Sequence, residues 1–181
     1  VRVKDSDGLE GLGEATTIGG LAYGPESPES VKLTIDTYFG PQLIGQSAEN
    51  INTLRVMLNR STRGNNLARS AIETALLDLQ GKRLNRSVAD LLGGAVHRHI
   101  PVLWTLASGD TARDIEEALG LIETRRHCDF KLKIGARALM DDVRHVAAIK
   151  DAVGESASVR VDVNQAWDES TAARGMAELQ A

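Results

Sequence analysis

The feature that most constrains the fold is a regular alternation of strand-like and helical patterns in the second half of the chain. Three strand-like and two amphipathic helical segments follow one another at about 101–107, 111–126, 130–135, 139–153 and 159–164. Strands that are joined through helices run parallel in one sheet. Residues 96–181 are therefore predicted to form about three βα units of a barrel or of a doubly wound sheet. The pattern by itself leaves both architectures open.

The first half of the chain has a different order, with strands first and helices afterwards. Alternating residues on either side of Gly8 predict a β-hairpin over about 1–15. Helical segments then follow at about 28–39, 48–60 and 65–81. Gly81 is predicted to end the last of these, and Ser87 to cap a short fourth helix. Residues 1–95 are thus predicted to form an α+β domain of their own.

Charge and composition narrow the classes of partner. The formal net charge is -4 and the chain has no block of lysine or arginine, which argues against nucleic acid or an anionic membrane as a partner. No apolar run approaches the roughly 20 residues that a membrane-spanning helix requires. The single cysteine, Cys128, excludes an intramolecular disulfide and fits a reducing compartment, so a cytoplasmic protein is predicted.

Two of the predicted parallel strands each carry one polar face. In FKLKIG, Lys131 and Lys133 alternate with apolar residues, and in VRVDVN, Asp162 and Asn164 do the same. Parallel strands covered by helices are usually apolar on both faces. Charged groups at the carboxyl ends of barrel strands are typical of catalytic sites. The same pattern is also typical of the solvated face of an edge strand and of a helix-capping aspartate, and both alternatives stay open.

These residue types suggest removal of a proton next to a carboxylate. Such a proton is very weakly acidic, so the enediolate that develops must be stabilised by a divalent cation held by carboxylates. A lysine can act as the base if its pKa falls towards neutrality, and a second ammonium two residues away lowers it by like-charge repulsion. Lys131 and Lys133 have this spacing.

Several segments together resemble the enolase superfamily, and most closely its muconate cycloisomerases. They are GEATTIGGLAYG (13–24), ARSAIETALLDLQGKRLNRSVADLLGG (68–94), WTLASGDTA (104–112), FKLKIG (130–135) and VRVDVNQAWD (159–168). The resemblance covers nearly the whole chain. It implies an α+β capping domain followed by the first βα units of a (β/α) TIM-type barrel, with the chain truncated at both ends.

The resemblance also implies a role for each polar strand-end residue. Lys133 resembles the acid/base that exchanges the proton α to the carboxylate. Lys131 resembles the partner that lowers the pKa of that lysine and lies close to the substrate carboxylate. Asp162 is similar to the first of three carboxylate ligands for Mg²⁺ or Mn²⁺, and Asn164 to a supporting polar group of the site.

A loop near the start of the chain completes the implied site. Ile18 and Tyr23 lie in what resembles the capping loop that closes over the substrate, although the residue pattern alone makes them ordinary loop residues. The implied reaction is the reversible cycloisomerisation of cis,cis-muconate, a small dicarboxylate, to muconolactone, a step in aromatic catabolism. A homo-oligomer of the intact enzyme is implied as well.

The resemblance leaves part of the site unaccounted for. Two further metal carboxylates and another lysine belong to later strands of the resembled enzymes, so the chain is expected to be a piece of a longer enzyme and inactive alone. Chloromuconate cycloisomerase, dipeptide epimerase and o-succinylbenzoate synthase stay open as related activities. A non-catalytic α/β binding module is the alternative of a different class. A doubly wound nucleotide-binding protein is disfavoured, since no glycine-rich turn follows the first parallel strand.

The four histidines show no metal-ligand spacing and neighbour polar residues. All are predicted to occupy surface positions: His97, His99, His127 and His145.

Overall fold

A computed structural model of the chain describes residues 1–180, which form two compact units. The first unit spans Val1–Val96 and the second begins at His97. Ala181, the last residue of the predicted second domain, lies outside the described residues. No helix within residues 1–180 is both long and apolar enough to cross a membrane.

The first unit opens with a two-stranded antiparallel sheet. Strand β1 (Arg2–Lys4) pairs with β2 (Glu10–Leu12). In the connecting turn, Gly8 has a φ of 86°, which glycine adopts without steric cost, and Oδ1 of Asp5 accepts two backbone hydrogen bonds. The predicted hairpin is confirmed.

Helices make up most of the rest of the first unit. The first begins at Ser27, whose hydroxyl accepts a hydrogen bond from the Ser30 amide while the Ser30 hydroxyl accepts one from the Ser27 amide. This helical run extends past the predicted end at residue 39. In chain order the elements are α1 (Pro28–Thr34), a π-helical turn (Ile35–Phe39), α2 (Gly40–Leu43), α3 (Ile51–Ser61), α4 (Asn66–Leu84) and α5 (Val88–Leu91).

Helix α4 supplies one side of the hydrophobic core of the first unit. Its buried residues recur at helical spacing, as predicted, and pack against α1, α3 and the π-helical turn. Each fully buried leucine, isoleucine or phenylalanine side chain contributes about 1.5–3 kcal/mol by leaving water. The core residues are Val31, Phe39, Leu54, Leu58, Ala68, Ile72 and Leu76.

Two glycines let strand β2 approach helix α4 more closely than any side chain would allow. A Cβ at Gly11 would lie 2.0 Å from the carbonyl oxygen of Ala75. A Cβ at Gly13 would lie 1.9 Å from the carbonyl oxygen of Ala71. The hairpin therefore packs directly on the backbone of α4.

Gly81 lies inside α4, so its prediction as the end of that helix is wrong. The helix continues to Leu84 and ends at Asn85, which has the left-handed φ of 51°. Gly81 is buried, and a Cβ there would lie 2.8 Å from the carbonyl oxygen of Arg86. The glycine is needed because the chain folds back onto the helix after it ends.

The second unit is a three-stranded parallel sheet in the order β3-β4-β5, with helices between the strands. The predicted βαβ pattern is confirmed, although the first strand is shorter than the predicted 101–107. In chain order the elements are β3 (Trp104–Leu106), α6 (Thr111–Glu123), β4 (Asp129–Lys133), α7 (Leu139–Val153), a 3₁₀ turn (Gly154–Ser156), β5 (Ser158–Asp162) and α8 (Glu169–Gln180).

One face of this sheet forms the core of the second unit. Leu106, Phe130 and Leu132 are fully buried and pack with apolar residues of α6 and α7. Side chains of a strand alternate between the two faces, so the residues between these point away from the core. Those residues include the lysines of β4.

Candidate active site at the carboxyl ends of β4 and β5

The polar face of β4 and β5 brings the predicted lysines and aspartate together. In the sheet register, Lys133 is the partner of Asp162, and Lys131 is the partner of Arg160. Nζ of Lys131 lies 3.2 Å from Oδ2 of Asp162, and these side chains are 31% and 34% exposed. The structure therefore places an ion pair and a second lysine side by side at the carboxyl ends of two neighbouring parallel strands.

The carboxylate of Asp162 is held on both oxygens. Oδ1 accepts a hydrogen bond of 3.0 Å from the backbone amide of Asn164, and Oδ2 faces Lys131. The Asn164 amide, followed by the Lys131 ammonium, lowers the pKa of Asp162 below its ordinary value, and the charge of Lys133 acts in the same direction. Asp162 is therefore ionised at neutral pH.

The turn after β5 explains how Asn164 reaches this carboxylate. Asn164 and Gln165 have left-handed φ values of 46° and 65°. Asparagine tolerates this conformation better than most residues, and the turn aims its amide back at Oδ1 of Asp162. Asn164 thus belongs to the site through its backbone, and a role for its side chain stays a prediction.

Asp162 fits a divalent cation as a single ligand. Its carboxylate is ionised and stands at a strand end, which suits Mg²⁺ or Mn²⁺. Within residues 1–180, however, no group of three or more histidine, cysteine, aspartate or glutamate side chains is arranged to hold a metal ion. One carboxylate beside an ammonium group makes a weak site, because these cations take about six oxygen ligands. The described residues therefore offer one candidate ligand, Asp162, and no complete metal site.

Ile18 and Tyr23 belong to the first unit. Both are exposed in the irregular segment between β2 and α1. Gly19 and Gly20, which lie between them, have positive φ values of 63° and 62°. An exposed loop with two such glycines suits a segment that covers a ligand, and the role of Ile18 and Tyr23 stays a prediction.

A second polar cluster lies inside the second unit, and the sequence patterns did not predict it. Asp114, Asp142 and His145 are each at most 3% exposed. Oδ1 of Asp114 accepts a hydrogen bond of 3.1 Å from the Ser108 amide, and Nδ1 of His145 lies 2.8 Å from the hydroxyl oxygen of Thr111. The surface position predicted for His145 is wrong, because α7 packs against α6 and the two helices enclose it.

Burial changes the protonation of this histidine. Loss of water lowers the pKa of His145 below its ordinary value, and the positive charge of Arg137 adds to the effect. The negative charges of Asp114, Asp142 and Asp110 oppose it. The neutral ring is therefore the folded form at neutral pH.

A sequence signal for the buried cluster did exist. Asp142 stands four and seven residues before Val146 and Ile149, on the buried stripe of α7. Asp114 precedes the buried Ala118 by four residues in the same way. A carboxylate on an apolar stripe predicts a buried polar contact, but its partner lies on another element and cannot be predicted from periodicity.

The two halves of the chain match known protein families. Residues 1–93 match the family described as mandelate racemase / muconate lactonizing enzyme, N-terminal domain. The chain belongs to this family. Residues 113–181 match the family described as enolase C-terminal domain-like. The predicted resemblance to the enolase superfamily is thereby confirmed, as is a capping domain followed by the start of a barrel domain.

Curated relatives of this mandelate racemase / muconate lactonizing enzyme family member include several cycloisomerases. The chain is 60% identical to muconate cycloisomerase 1 of Pseudomonas putida, over 96% of the chain and 46% of that relative. It is 54% identical to muconate cycloisomerase 1 of Acinetobacter baylyi, over 99% of the chain and 49% of that relative. It is 53% identical to chloromuconate cycloisomerase of Pseudomonas sp. (strain P51), over 95% of the chain and 46% of that relative. The chain thus spans about half the length of the relatives it matches.

Solved structures of the family agree with these matches. A muconate lactonizing enzyme solved at 1.85 Å resolution superposes with a TM-score of 0.96 and 59% identity, over 98% of the chain and 49% of that structure. The Pseudomonas fluorescens muconate lactonizing enzyme in complex with muconolactone superposes with a TM-score of 0.95 and 60% identity, over 98% of the chain and 48% of that structure. The chain is therefore similar in sequence and fold to about half of each of these enzymes.

Proposed function

We propose that this chain is part of a metal-dependent muconate cycloisomerase, which interconverts cis,cis-muconate and muconolactone. The observation that carries the proposal is the cluster of Lys131, Lys133 and Asp162 at the carboxyl ends of β4 and β5. The similarity to muconate cycloisomerases supports the choice of substrate. An isomerase of this type needs no oxidant or co-substrate, since lactone formation rearranges one molecule.

Lys133 is the proposed acid and base. In the direction of lactone formation, one carboxylate oxygen of muconate adds to the carbon chain and closes the ring. The ammonium of Lys133 gives its proton to the carbon α to the other carboxylate, and the resulting amine removes that proton in the reverse direction. Lys133 is exposed on the open polar face, where a substrate can reach it.

Lys131 and Asp162 are proposed to prepare the site electrostatically. The Lys131 ammonium provides a positive charge two residues from Lys133, which attracts a carboxylate of the substrate. Asp162 is proposed as one ligand of a bound Mg²⁺ or Mn²⁺. When bound, this cation supplies positive charge that stabilises the enediolate of the substrate.

The remaining predicted residues complete the proposal. Ile18 and Tyr23 are proposed to cover the substrate, and Asn164 to support the site beside Asp162. Because Asp162 is the only proposed metal ligand within residues 1–180, we expect this chain alone to be inactive. We also propose that the full-length protein is a cytoplasmic homo-oligomer.

A chloromuconate cycloisomerase is the second candidate, because a relative of that name is 53% identical over 95% of the chain. The lysines and Asp162 suit either substrate, since both substrates share the muconate dicarboxylate skeleton. The ratio of kcat/KM for muconate to that for chloromuconate distinguishes the two activities.

The test is turnover by the full-length protein, measured as loss of cis,cis-muconate absorbance with and without Mn²⁺. We expect metal-dependent turnover whose kcat falls by about 10²–10⁴-fold in Lys133→Ala. Lys32→Ala, which removes an exposed lysine of the first unit, is the control and keeps full activity. A folded, metal-loaded protein that turns over neither muconate nor chloromuconate contradicts the proposal.

A further inference from the structure

The backbone shortly after Lys133 donates a hydrogen bond to a buried carboxylate of the next helix. The amide of Ile134 donates a hydrogen bond of 3.1 Å to the carbonyl oxygen of Asp162, which extends the strand pairing past the end of β4. The amide of Gly135 turns away from the sheet and donates one of 2.7 Å to Oδ2 of Asp142. Asp142 stands in the first turn of α7 and is buried.

The turn at Gly135 has no room for a side chain. Gly135 has a φ of 102°, and a Cβ there would lie 2.8 Å from Cβ of Ala166 and 3.1 Å from the carbonyl oxygen of Val163. The loop after β5 therefore packs against this turn, and Asp142 accepts a hydrogen bond from the Gly135 amide. The position of the backbone two residues beyond Lys133 is fixed from both sides.

We propose that Asp142 is a positioning residue for Lys133. Its carboxylate fixes the turn that ends β4, and with it the direction in which the Lys133 side chain leaves the sheet. This inference rests on the proposed function of Lys133 in proton transfer. If Asp142 is removed, the half-buried Gly135 amide loses its acceptor, and the loop relieves that loss by moving. A displacement of about 1 Å can cost on the order of 100-fold in rate, because proton transfer demands close alignment.

The second unit contains a matched control for this contact. Asp114 is an equally buried aspartate in the first turn of α6, and it accepts a hydrogen bond of 3.1 Å from the Ser108 amide in the loop after β3. That loop carries none of the proposed site residues. Removal of Asp114 disturbs the same kind of contact, and also the 3.4 Å approach of its Oδ2 to Nε2 of His145, without touching the strand that bears Lys133.

The first experiment compares the kinetics of three variants of the full-length protein with those of the wild type. Asp142→Ala is expected to lower kcat by about 10- to 100-fold with KM for muconate changed less than about twofold, because the defect lies in alignment rather than binding. Asp142→Asn keeps an acceptor oxygen and is expected to lose less, about three- to tenfold. Asp114→Ala is expected to lose a similar amount of thermal stability while kcat stays within about threefold of the wild type. Equal losses of kcat in Asp142→Ala and Asp114→Ala overturn the proposal.

A second measurement does not depend on the substrate. Hydrogen exchange followed by mass spectrometry is expected to show faster exchange over residues 131–136 in Asp142→Ala, and over 106–111 in Asp114→Ala. If Asp142→Ala does not fold, Asp142→Asn and Asp114→Asn carry the same comparison. Unchanged exchange over 131–136 overturns the positioning role. A wild type without turnover contradicts the proposed function instead, and the exchange result then tests only whether Asp142 fixes the turn after β4.

Discussion

The two faces of strand β4 differ in burial and in charge. On one face, Phe130 and Leu132 are fully buried against helices α6 and α7. On the other, Lys131 and Lys133 stand beside Asp162 on the polar face of the sheet. The same five-residue strand thus carries part of the hydrophobic core and the proposed chemistry.

Because of this difference, one face of β4 contributes most to the free energy of folding and the other carries the proposed chemistry. Burial of apolar side chains contributes about 25 cal/mol per Å² of surface removed from water, so the core face dominates stability. The polar face contributes little to stability, since its ion pair is about one-third exposed. Substitutions on the core face should therefore change stability, and those on the polar face should change turnover.

The largest expected effect is a loss of turnover on substitution of Lys133 on the polar face. Lys133→Arg keeps the positive charge but cannot exchange a proton near neutral pH, so we expect a loss of kcat of about 10²–10⁴-fold, as large as that of Lys133→Ala. The thermal midpoint should stay within a few degrees of the wild type. Substantial activity in Lys133→Arg would show that charge, and not proton transfer, is the contribution of this residue.

The next effect belongs to the core face. Leu132→Ala should lower the free energy of unfolding by about 2–5 kcal/mol, because it leaves a cavity among fully buried side chains. Denaturant unfolding measures this loss, and kcat per folded molecule should stay close to that of the wild type. A large loss of kcat with unchanged stability would mean that the two faces are not separable.

A smaller effect concerns the buried histidine beneath the strand ends. Because burial lowers the pKa of His145, the unfolded chain takes up a proton near pH 6.5 before the folded protein does. Stability should therefore be fully present above about pH 6.5 and decline as the pH falls below it. Thermal midpoints between pH 7.5 and 5 should show this decline in the wild type.

Two variants isolate this effect. His145→Gln removes the titrating ring and should flatten the pH dependence of the thermal midpoint. His97→Gln, which changes an exposed histidine, should retain the wild-type slope. An equally steep decline in His145→Gln would assign the pH dependence to other groups.

The smallest expected effect is the stability of the ion pair on the polar face. Lys131→Met should change the free energy of unfolding by less than about 1 kcal/mol, because both partners of the pair are partly solvated. The same substitution should still impair turnover, as it removes the charge beside Lys133. A loss of several kcal/mol would show that the polar face is also a main source of stability.

The elements that periodicity determines could be predicted from the sequence. The amphipathic stripe of α7 predicted residues 139–153, which are the bounds observed, and the alternation in β4 and β5 predicted which residues share the polar face. Gly81 and His145 could not be placed correctly, because each depends on a segment distant in structure. Gly81 stays in its helix since the later chain folds back onto it, and His145 is buried since α6 covers it.

The same reasoning applies to the candidate site. Lys131, Lys133 and Asp162 could be grouped because the ends of parallel strands meet at one edge. The hydrogen bond from the Asn164 amide to Asp162 depends on a left-handed turn, and that from the Gly135 amide to Asp142 on a helix packed below. Periodicity places Asp142 on the buried stripe of α7 but predicts the partner in neither contact, so only the structure reveals what holds the site in shape.

The two glycines of the hairpin, Gly11 and Gly13, allow only one strand register to pack on helix α4. If β2 slipped by one residue along β1, Glu10 or Leu12 would meet the backbone of α4, where even a single methyl group would clash. The misaligned hairpin therefore cannot dock, and only the correct register gains the contact with the helix. A library randomised at Gly11 and Gly13 and selected for folding should return glycine at both positions, whatever substrate the protein acts on.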